Sequence, residues 1–412
     1  MQRLQACKFE LMPSGAQLRA MRRYAGACRF VYNKALDWQI KQYATDKTVK
    51  FSYTKLANLL PDWKLDPATA WLKESPSQTL QQALQNLETS YRNFFAKRAS
   101  FPQFKKRGQH DSFRFPQGFK VEQGNSRILL PKLGWVRYRN SRALLGEVKN
   151  ITVSMTGGKW YAAIQTEREV EETTHLATSA VGVDVGITKF ATLSTGEIFA
   201  PINSFRAKQS RLAHYQRAMS RKVKFSNNWK KAKGKISKLH GTIANIRRDY
   251  LHKTSTAISQ NHAMIVIENL QVSNMSKSAA GCSEKHGRNV KAKSGLNKSI
   301  LDQGWAEFRR QLEYKQAWRG GEVLAVPPQY TSQRCSCCGY VAKENRQTQS
   351  KFACVVCGHS MNADLNAARN ILAAGLAVLA CGEMMQLGHS VKQEPTEGIR
   401  NSACEPVGIP VL

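Results

Sequence analysis

Ala180-Val-Gly-Val-Asp-Val-Gly186 is an apolar run with the length and the glycine punctuation of a buried strand, and a carboxylate, Asp184, stands inside it. Phe190 to Leu193 and Glu197 to Phe199, joined by the turn Ser194-Thr-Gly196, predict that the chain continues as a meander. A long basic helical region then spans Phe205 to Ser259, with a break around Phe225-Ser-Asn-Asn228. Met264-Ile-Val-Ile-Glu268 predicts a second short buried strand. Met275 to Ser299, rich in Ser, Gly, Asn and Lys, is expected to be a mobile loop. Helix is predicted again over Ile300 to Trp318, ended by Gly320-Gly321, and Val323 to Val326 predicts one more strand. Strands alternating with helices indicate an α/β domain.

Toward the N-terminus the pattern changes. Lys8-Phe-Glu-Leu-Met12 is strand-like and stops at Pro13-Ser-Gly15. A helix begins near Ala16, with Leu18, Met21, Ala25 and Cys28 at helical spacing and Arg19, Arg22, Arg23 and Arg29 on other faces. A second helix starts at Ser75-Pro-Ser77, its apolar stripe running from Leu80 through Leu84 and Leu87 to Tyr91 and Phe94 or Phe95. Gln78, Gln81, Gln82 and Gln85 fill its other faces, where glutamines can be solvated or can read base edges. From Phe101 to Lys120 basic and aromatic residues mix, a composition suited to backbone neutralisation and base stacking. Ile128–Leu130, Trp135–Tyr138, Ile151–Ser154 and Trp160–Gln165 then alternate with clear turns, the last two joined by Gly157-Gly158, and predict a small antiparallel barrel. The N-terminal strand has no partner of its own kind nearby, so it is expected to return to this barrel. Glu167 to Thr174 is expected to be a linker.

Two CxxC pairs, Cys335-Ser-Cys-Cys338 and Cys354-Val-Val-Cys357, stand fifteen residues apart, a spacing within the range of a four-cysteine zinc ribbon. Cys337 makes the register ambiguous. Gly339 follows Cys338 as Gly358 follows Cys357, and a knuckle needs a positive backbone angle just after its second cysteine. Cys335, Cys338, Cys354 and Cys357 are therefore the expected ligands of one structural Zn²⁺, with Cys337 a bystander. Ten cysteines in a reducing compartment are expected to serve metal ligation or burial more than a disulfide framework.

Lys and Arg total 62 against 29 Asp and Glu, a formal net charge of +33, while apolar residues make up 42% of the chain. A globular protein of two to four domains is expected at this length. A field of that sign repels itself unless an anion neutralises it. A solvated basic surface or an anionic-membrane binder would share the charge, but its spread over several segments favours nucleic acid. The first ten residues carry no apolar core of signal-peptide length, and the longest apolar stretch, Ile371 to Cys381, falls far short of the ~20 residues that span a bilayer. A soluble protein of the prokaryotic cytoplasm or nucleoid, with no membrane partner, is the expectation.

Three carboxylates attract attention. Asp184 lies mid-strand between glycines, where burial is unfavourable without a cation and where the glycines are expected to leave room for a phosphate. Glu268 ends its strand, and Asp364 opens Asp-Leu-Asn-Ala-Ala-Arg-Asn370. Each alone has an ordinary reading: a solvated Glu, or an Asp favouring the positive end of a helix. Together with Ala27-Cys-Arg-Phe-Val-Tyr-Asn33, Leu84-Gln-Asn-Leu-Glu-Thr-Ser-Tyr91, Leu130-Pro-Lys-Leu-Gly-Trp135, Ile267-Glu-Asn-Leu270, Thr331-Ser-Gln-Arg-Cys335 and Asn362-Ala-Asp-Leu-Asn-Ala-Ala368, they give a chain that resembles the TnpB family, transposon-encoded relatives of type V CRISPR effector nucleases.

That resemblance implies an α/β and α+β multidomain protein. Its parts are a β-barrel wedge domain (1–12 and 121–177), a helical recognition domain (13–120) and an RNase H-like RuvC nuclease domain (178–330 and 360–380). A zinc ribbon at 331–359 would bind target nucleic acid, and 381–412 would form a disordered tail. It implies an acidic triad of Asp184, Glu268 and Asp364 holding two Mg²⁺, Asp184 bridging them, and hydrolysis that leaves 5′-phosphate and 3′-hydroxyl ends. It implies a transposon-derived guide RNA and double-stranded target DNA as partners, with no oligomer required, and base pairing carrying the sequence information. The basic segments Phe101–Lys120, including Lys105, Lys106 and Arg107, and Phe205–Lys253 would hold guide RNA and heteroduplex. Tyr53, Gln78 and Gln81 would read a short motif beside the target. Some relatives have lost the triad and act as guided repressors; here all three acids are present. A repressor without cleavage and a DNA-joining transposase are the competing readings, and a purely structural RNA-binding protein would leave the three carboxylates unexplained.

Overall fold

The computed structural model describes residues 2–282 and 286–386, which divide into two units, 1–173 with 203–250 and 174–202 with 251 onward. In the first unit, strand β1 (Gln2–Met12) buries Cys7, Phe9 and Leu11 on alternate positions. Helices α1 (Gly15–Thr45), α2 (Tyr53–Leu65) and α3 (Ser77–Phe95) follow. The start of α1 is a capping box: Ser14 accepts from the Gln17 amide while Gln17 accepts from that of Ser14. The Gln17 side-chain amide also donates to the carbonyls of Leu133 and Trp135, tying the helix entry to the sheet described next.

Strands β2 (Ser112–Phe115), β3 (Lys120–Glu122), β4 (Arg127–Leu130), β5 (Gly134–Tyr138), β6 (Glu147–Thr156) and β7 (Lys159–Glu169) join β1 in a seven-stranded antiparallel sheet, ordered β2-β6-β7-β1-β5-β4-β3. β1 thus lies inside the sheet, with Gln2 opposite Glu169 and Leu11 opposite Tyr138. One apolar cluster runs from the sheet through Met21 and Val31 of α1, Leu56 of α2 and Leu84 of α3. Two expectations change here. Ser-Phe-Arg-Phe115 is a strand, and its alternation sends Phe113 and Phe115 into this core, so neither is available to stack on bases. Glu167 to Glu169 belong to β7 and are not linker. The basic helices of this unit are α4 (Gln209–Ser220) and most of α5 (Asn227–Asn261), which pack through Leu212, Leu239 and Ile243.

The second unit holds a five-stranded sheet of β8 (Ala180–Val185), β9 (Ala191–Leu193), β10 (Ile198–Phe199), β11 (Met264–Glu268) and β12 (Glu322–Val326), ordered β10-β9-β8-β11-β12. β8, β11 and β12 are parallel; β9 and β10 continue antiparallel from β8. Helix α6 (Val272–Met275) precedes α7 (Val290–Gln303), and Gly304, at φ +75°, separates α7 from α8 (Trp305–Arg319), so the single helix predicted over Ile300 to Trp318 is two. Within the loop expected over Met275 to Ser299, 283–285 lie outside the described residues, and residues 290–299 belong to α7. Its polar side chains clasp backbone: Lys293 Nζ donates to Met275 O at 2.7 Å, and Asn297 Nδ2 donates to Ser276 O and Lys277 O, each at 3.0 Å. Strands β13 (Lys351–Ala353) and β14 (Ser360–Asn362) form a small hairpin.

Helix α9 (Ala363–Gln386) crosses the sheet. A Cβ at Gly182 would lie 2.1 Å from the Ala368 carbonyl oxygen, and one at Gly375 would lie 2.4 Å from Val266. Gly182 is therefore needed for the approach of α9 to β8, correcting the expectation that it leaves space for phosphate. Since α9 continues to Gln386, residues 381–386 of the expected tail are helical; 387–412 lie outside the described residues.

Candidate active site

Asp184 and Glu268 stand near the carboxyl ends of two adjacent parallel strands, where Val183 is in register with Ile267. Ligands of open α/β sheets gather at such ends. Asp364 arrives from the first turn of α9, whose start Asn362 caps by accepting from the amides of Asp364 (3.1 Å) and Leu365 (3.4 Å). The three acids line one cavity of about 540 Å³ with Gly186, Lys189, Thr331 and Arg346.

The electrostatics of this cavity are those of crowded negative charge. Burial, then the neighbouring Glu268 and Asp364, push the Asp184 carboxyl up to about 7, against the pull of Arg346 and Lys189. Burial also raises Glu268, opposed by the Thr331 hydroxyl, which donates to Glu268 Oε1 at 2.6 Å. Lys189 Nζ lies 3.0 Å from Asp364 Oδ2 and 3.2 Å from Asn362 Oδ1. Three carboxylates facing two cations leave negative charge that a divalent ion would neutralise, and hard oxygens are the donors that magnesium takes. Among the described residues only the four ribbon cysteines have ligand atoms all within 4.8 Å of one another, so the acids form a more open set than a closed single-ion cage.

Lys189, Thr331 and Arg346 were not singled out from the sequence. Thr331 opens the motif Thr331-Ser-Gln-Arg-Cys335, but nothing local signals its bond to a residue 63 positions away. Arg346 falls between the two knuckles and carries no spacing signal at all.

The four cysteines meet as expected. Cys335 Sγ and Cys357 Sγ are 3.7 Å apart, and Cys338 Sγ and Cys354 Sγ 3.6 Å. Four thiolates about 2.3 Å from a zinc ion have tetrahedral edges of about 3.8 Å, so the set fits that ion. Gly339 and Gly358 take φ +77° and +71°, and their amides donate to the carbonyls of Cys335 and Cys354, each at 3.0 Å. Cys337 is exposed and outside the cluster.

The candidate nucleic-acid residues lie in the first unit. Gln81 is exposed on α3, while Gln78 is half-buried with its Oε1 lacking a hydrogen-bond partner. Tyr53 opens α2 and packs against the core. Lys105, Lys106 and Arg107 are exposed; Asn33 clasps the Lys105 backbone through both its amide nitrogen and oxygen, and Lys105 Nζ sits 3.9 Å from the centre of the Tyr32 ring.

Comparison with known proteins agrees with this architecture. Three family profiles match: "Probable transposase" over residues 163–279, "Cas12f1-like, TNB domain" over 305–371, and "Helix-turn-helix domain" over 1–48. In the structure residues 2–45 are β1 and one uninterrupted helix, so the last description does not match the local geometry. The chain is 64% identical over 404 residues to an Escherichia coli (strain K12) protein named "Putative RNA-guided DNA endonuclease InsQ", covering 98% of this chain and 100% of that one. It is 35% identical to a Streptomyces pristinaespiralis protein named "Putative RNA-guided DNA endonuclease", covering 95% and 96%. The solved structure described as "Cryo-EM structure of the Cas12f1-sgRNA-target DNA complex" has the same fold at TM-score 0.56, with 11% identity over 90% of this chain and 98% of that one. With near-complete coverage at such identity, the chain belongs to the TnpB (OrfB) family.

Proposed function

We propose that this protein is an RNA-guided DNA endonuclease that pairs a transposon-derived guide RNA with target DNA beside a short motif and hydrolyses the DNA at Asp184, Glu268 and Asp364. The observation that carries the reading is the shared cavity of these three acids, with Asp184 held near 7 by burial and by the other two. The names of the full-length relatives point the same way. In this reading the second unit is a RuvC-like nuclease domain of the RNase H type, the cysteine cluster is a zinc ribbon, and the seven-stranded sheet is the wedge barrel beside a recognition helix set.

Mg²⁺ ions held in this cavity would supply positive charge to stabilise the attacking and leaving oxygens of a phosphodiester. The chain's own residues build the place for them. Asp184, Glu268 and Asp364, which line the cavity together, would hold the ions. Lys189 and Arg346 add fixed positive charge to the same cavity, where it favours a phosphate over open solvent. The net charge of +33 supplies the longer-range attraction for RNA and DNA. Among the described residues no helix is long and apolar enough to cross a membrane, and the proposed place of action is the bacterial cytoplasm or nucleoid, where guide and target coexist.

The test is to purify the protein with its bound RNA, sequence that RNA, and challenge matched DNA with magnesium, comparing the wild type with Asp184→Ala. Cleavage by the wild type alone is expected; absence of copurifying RNA, or equal cutting by the variant, refutes the reading. Gln81→Ala should relax the motif preference and leave guide binding intact, and unchanged preference removes Gln81 from that role. The profile described as "Probable transposase" makes strand transfer the second reading. Joined DNA products in the same assay would favour it over hydrolysis, and guide-dependent binding without any cut product would favour a repressor.

A further inference from the structure

Thr331 sits where three parts of the second unit meet. Its hydroxyl donates to Glu268 Oε1 at 2.6 Å, and the carbonyl of Pro328, at 3.2 Å, is the competing acceptor for the same single proton. Its own carbonyl accepts from Asn370 Nδ2 at 2.8 Å, and the other proton of that amide reaches Arg334 O at 2.7 Å. One turn earlier on α9, Asn366 donates to Arg334 O at 2.7 Å and accepts from the Ser336 amide at 3.0 Å. Asn366 is fully buried and Asn370 is 6% exposed, so these bonds are made out of water, where leaving any of them unmade is unfavourable. The segment Thr331–Ser336 is thereby fastened along the helix that carries Asp364, and it leads directly into the first cysteine knuckle.

A carboxylate at the end of a strand has free torsions and can turn either oxygen in any direction. A donor fixed at 2.6 Å removes that freedom by holding one oxygen, which leaves the other directed by the remaining geometry. The backbone that carries the donor is held in turn by Asn370, bonded to Thr331 itself, and by Asn366, bonded to Arg334 and Ser336 further along the same segment. We infer that Thr331 is a positioning residue for Glu268, and that the Asn366 and Asn370 clamp, by holding Thr331, keeps the strand carboxylate and the helix carboxylate Asp364 in one frame. This rests on the proposed metal role of Glu268. The second acceptor matters as well. If a cation draws on Oε1, the hydroxyl can turn to Pro328 O without becoming an orphaned donor, so the contact can adjust during ion binding.

The experiment uses the full-length protein with its copurified RNA and titrates Mn²⁺ by calorimetry, alongside the dependence of cleavage on metal concentration. Thr331→Val keeps the shape and loses the hydroxyl; Thr331→Ser keeps the hydroxyl. Losses of an orienting partner to a metal ligand are on the order of 10–100-fold in affinity. Thr331→Val is expected to weaken Mn²⁺ binding by such a factor, with RNA content and zinc content unchanged, and Thr331→Ser to restore it to within a few-fold. Wild-type Mn²⁺ affinity in the Val variant, or equal impairment of the Val and Ser variants, overturns the inference. Should the Val variant lose zinc and misfold, the Thr331→Ala and Thr331→Ser pair decides by the same criterion. Glu268→Gln separates the two levels: if it binds Mn²⁺ and cuts as the wild type does, the site reading itself fails, whereas a dead Glu268→Gln beside an unaffected Thr331→Val defeats only the positioning role.

Discussion

Replacing Asp184 with asparagine removes a charge that the fold holds under strain, and the structure sets the size of the effect. Burial, Glu268 and Asp364 carry its carboxyl from the ordinary 3.8 to about 7. Each factor of ten in proton affinity is worth about 1.4 kcal/mol, so ionising Asp184 in the folded, magnesium-free protein opposes folding by roughly 4 kcal/mol at most, because water entering the cavity screens part of it. The sign follows from proton binding. Between about pH 4 and 7 the folded chain keeps a proton that the unfolded chain has released, so stability from this group is present at low pH and is lost as pH rises through 7. Asp184→Asn should therefore melt above the wild type at pH 8, and the gap should close as the pH falls toward 4. For a unit of this size about 2–4 °C accompanies each kcal/mol, giving an upper limit of roughly 8–16 °C. The assay is thermal unfolding by circular dichroism in magnesium-free buffer without chelator, which leaves zinc in place. Added Mg²⁺ should raise the wild-type midpoint and leave the variant unmoved. A variant that melts at or below the wild type at pH 8 refutes the idea that three converging acids make this carboxylate costly.

Gly182→Ala should bring its new methyl against the Ala368 carbonyl, displace α9 and with it Asp364, and lower both stability, by several kcal/mol, and cleavage; a thermal melt unchanged from wild type would contradict that packing. Cys335→Ser should abolish zinc retention and destabilise the second unit, whereas Cys337→Ser should keep one zinc per chain by metal analysis. Arg346→Ala removes positive charge beside Asp184 and should cut cleavage at least tenfold while leaving guide RNA bound; full activity would exclude it from the reaction.

The parts of the fold that were legible are those written in local periodicity. Met264 to Glu268 is a strand over the range its apolar run predicts, and the glycines after Cys338 and Cys357 adopt the backbone angle that their position required. The lack of a nearby partner for Lys8–Met12 was enough to anticipate long-range pairing for that strand. What escaped was whatever depends on distant contact. The apolar pattern runs on through Gly304, so only the left-handed backbone at that residue reveals two helices. Composition made Met275–Ser299 look mobile, but Lys293 and Asn297 spend their polarity on backbone carbonyls. Gly182 was noticed for the right strand and the wrong neighbour: the close approach comes from α9. In the site, Asp184 stood out because a carboxylate inside an apolar strand is unusual, and Glu268 and Asp364 joined it only through the family resemblance, whereas Lys189 is one lysine among many until Asp364 is brought beside it.

The interior place of β1 bears on how the protein is made. At ~5–20 residues per second a ribosome takes roughly 10–30 s to travel from Gln2 to its partner Glu169. From Tyr138 onward β5 can receive Leu11, but until β7 is made Cys7 and Phe9 lack the strand they pair with, and the floor on which α1 lays Met21 and Val31 is incomplete. The first unit can close only after β7 has left the exit tunnel, so the nascent chain passes through a long basic and apolar stage before any part of the acidic cavity exists, and removing the first dozen residues would split the finished sheet through its middle.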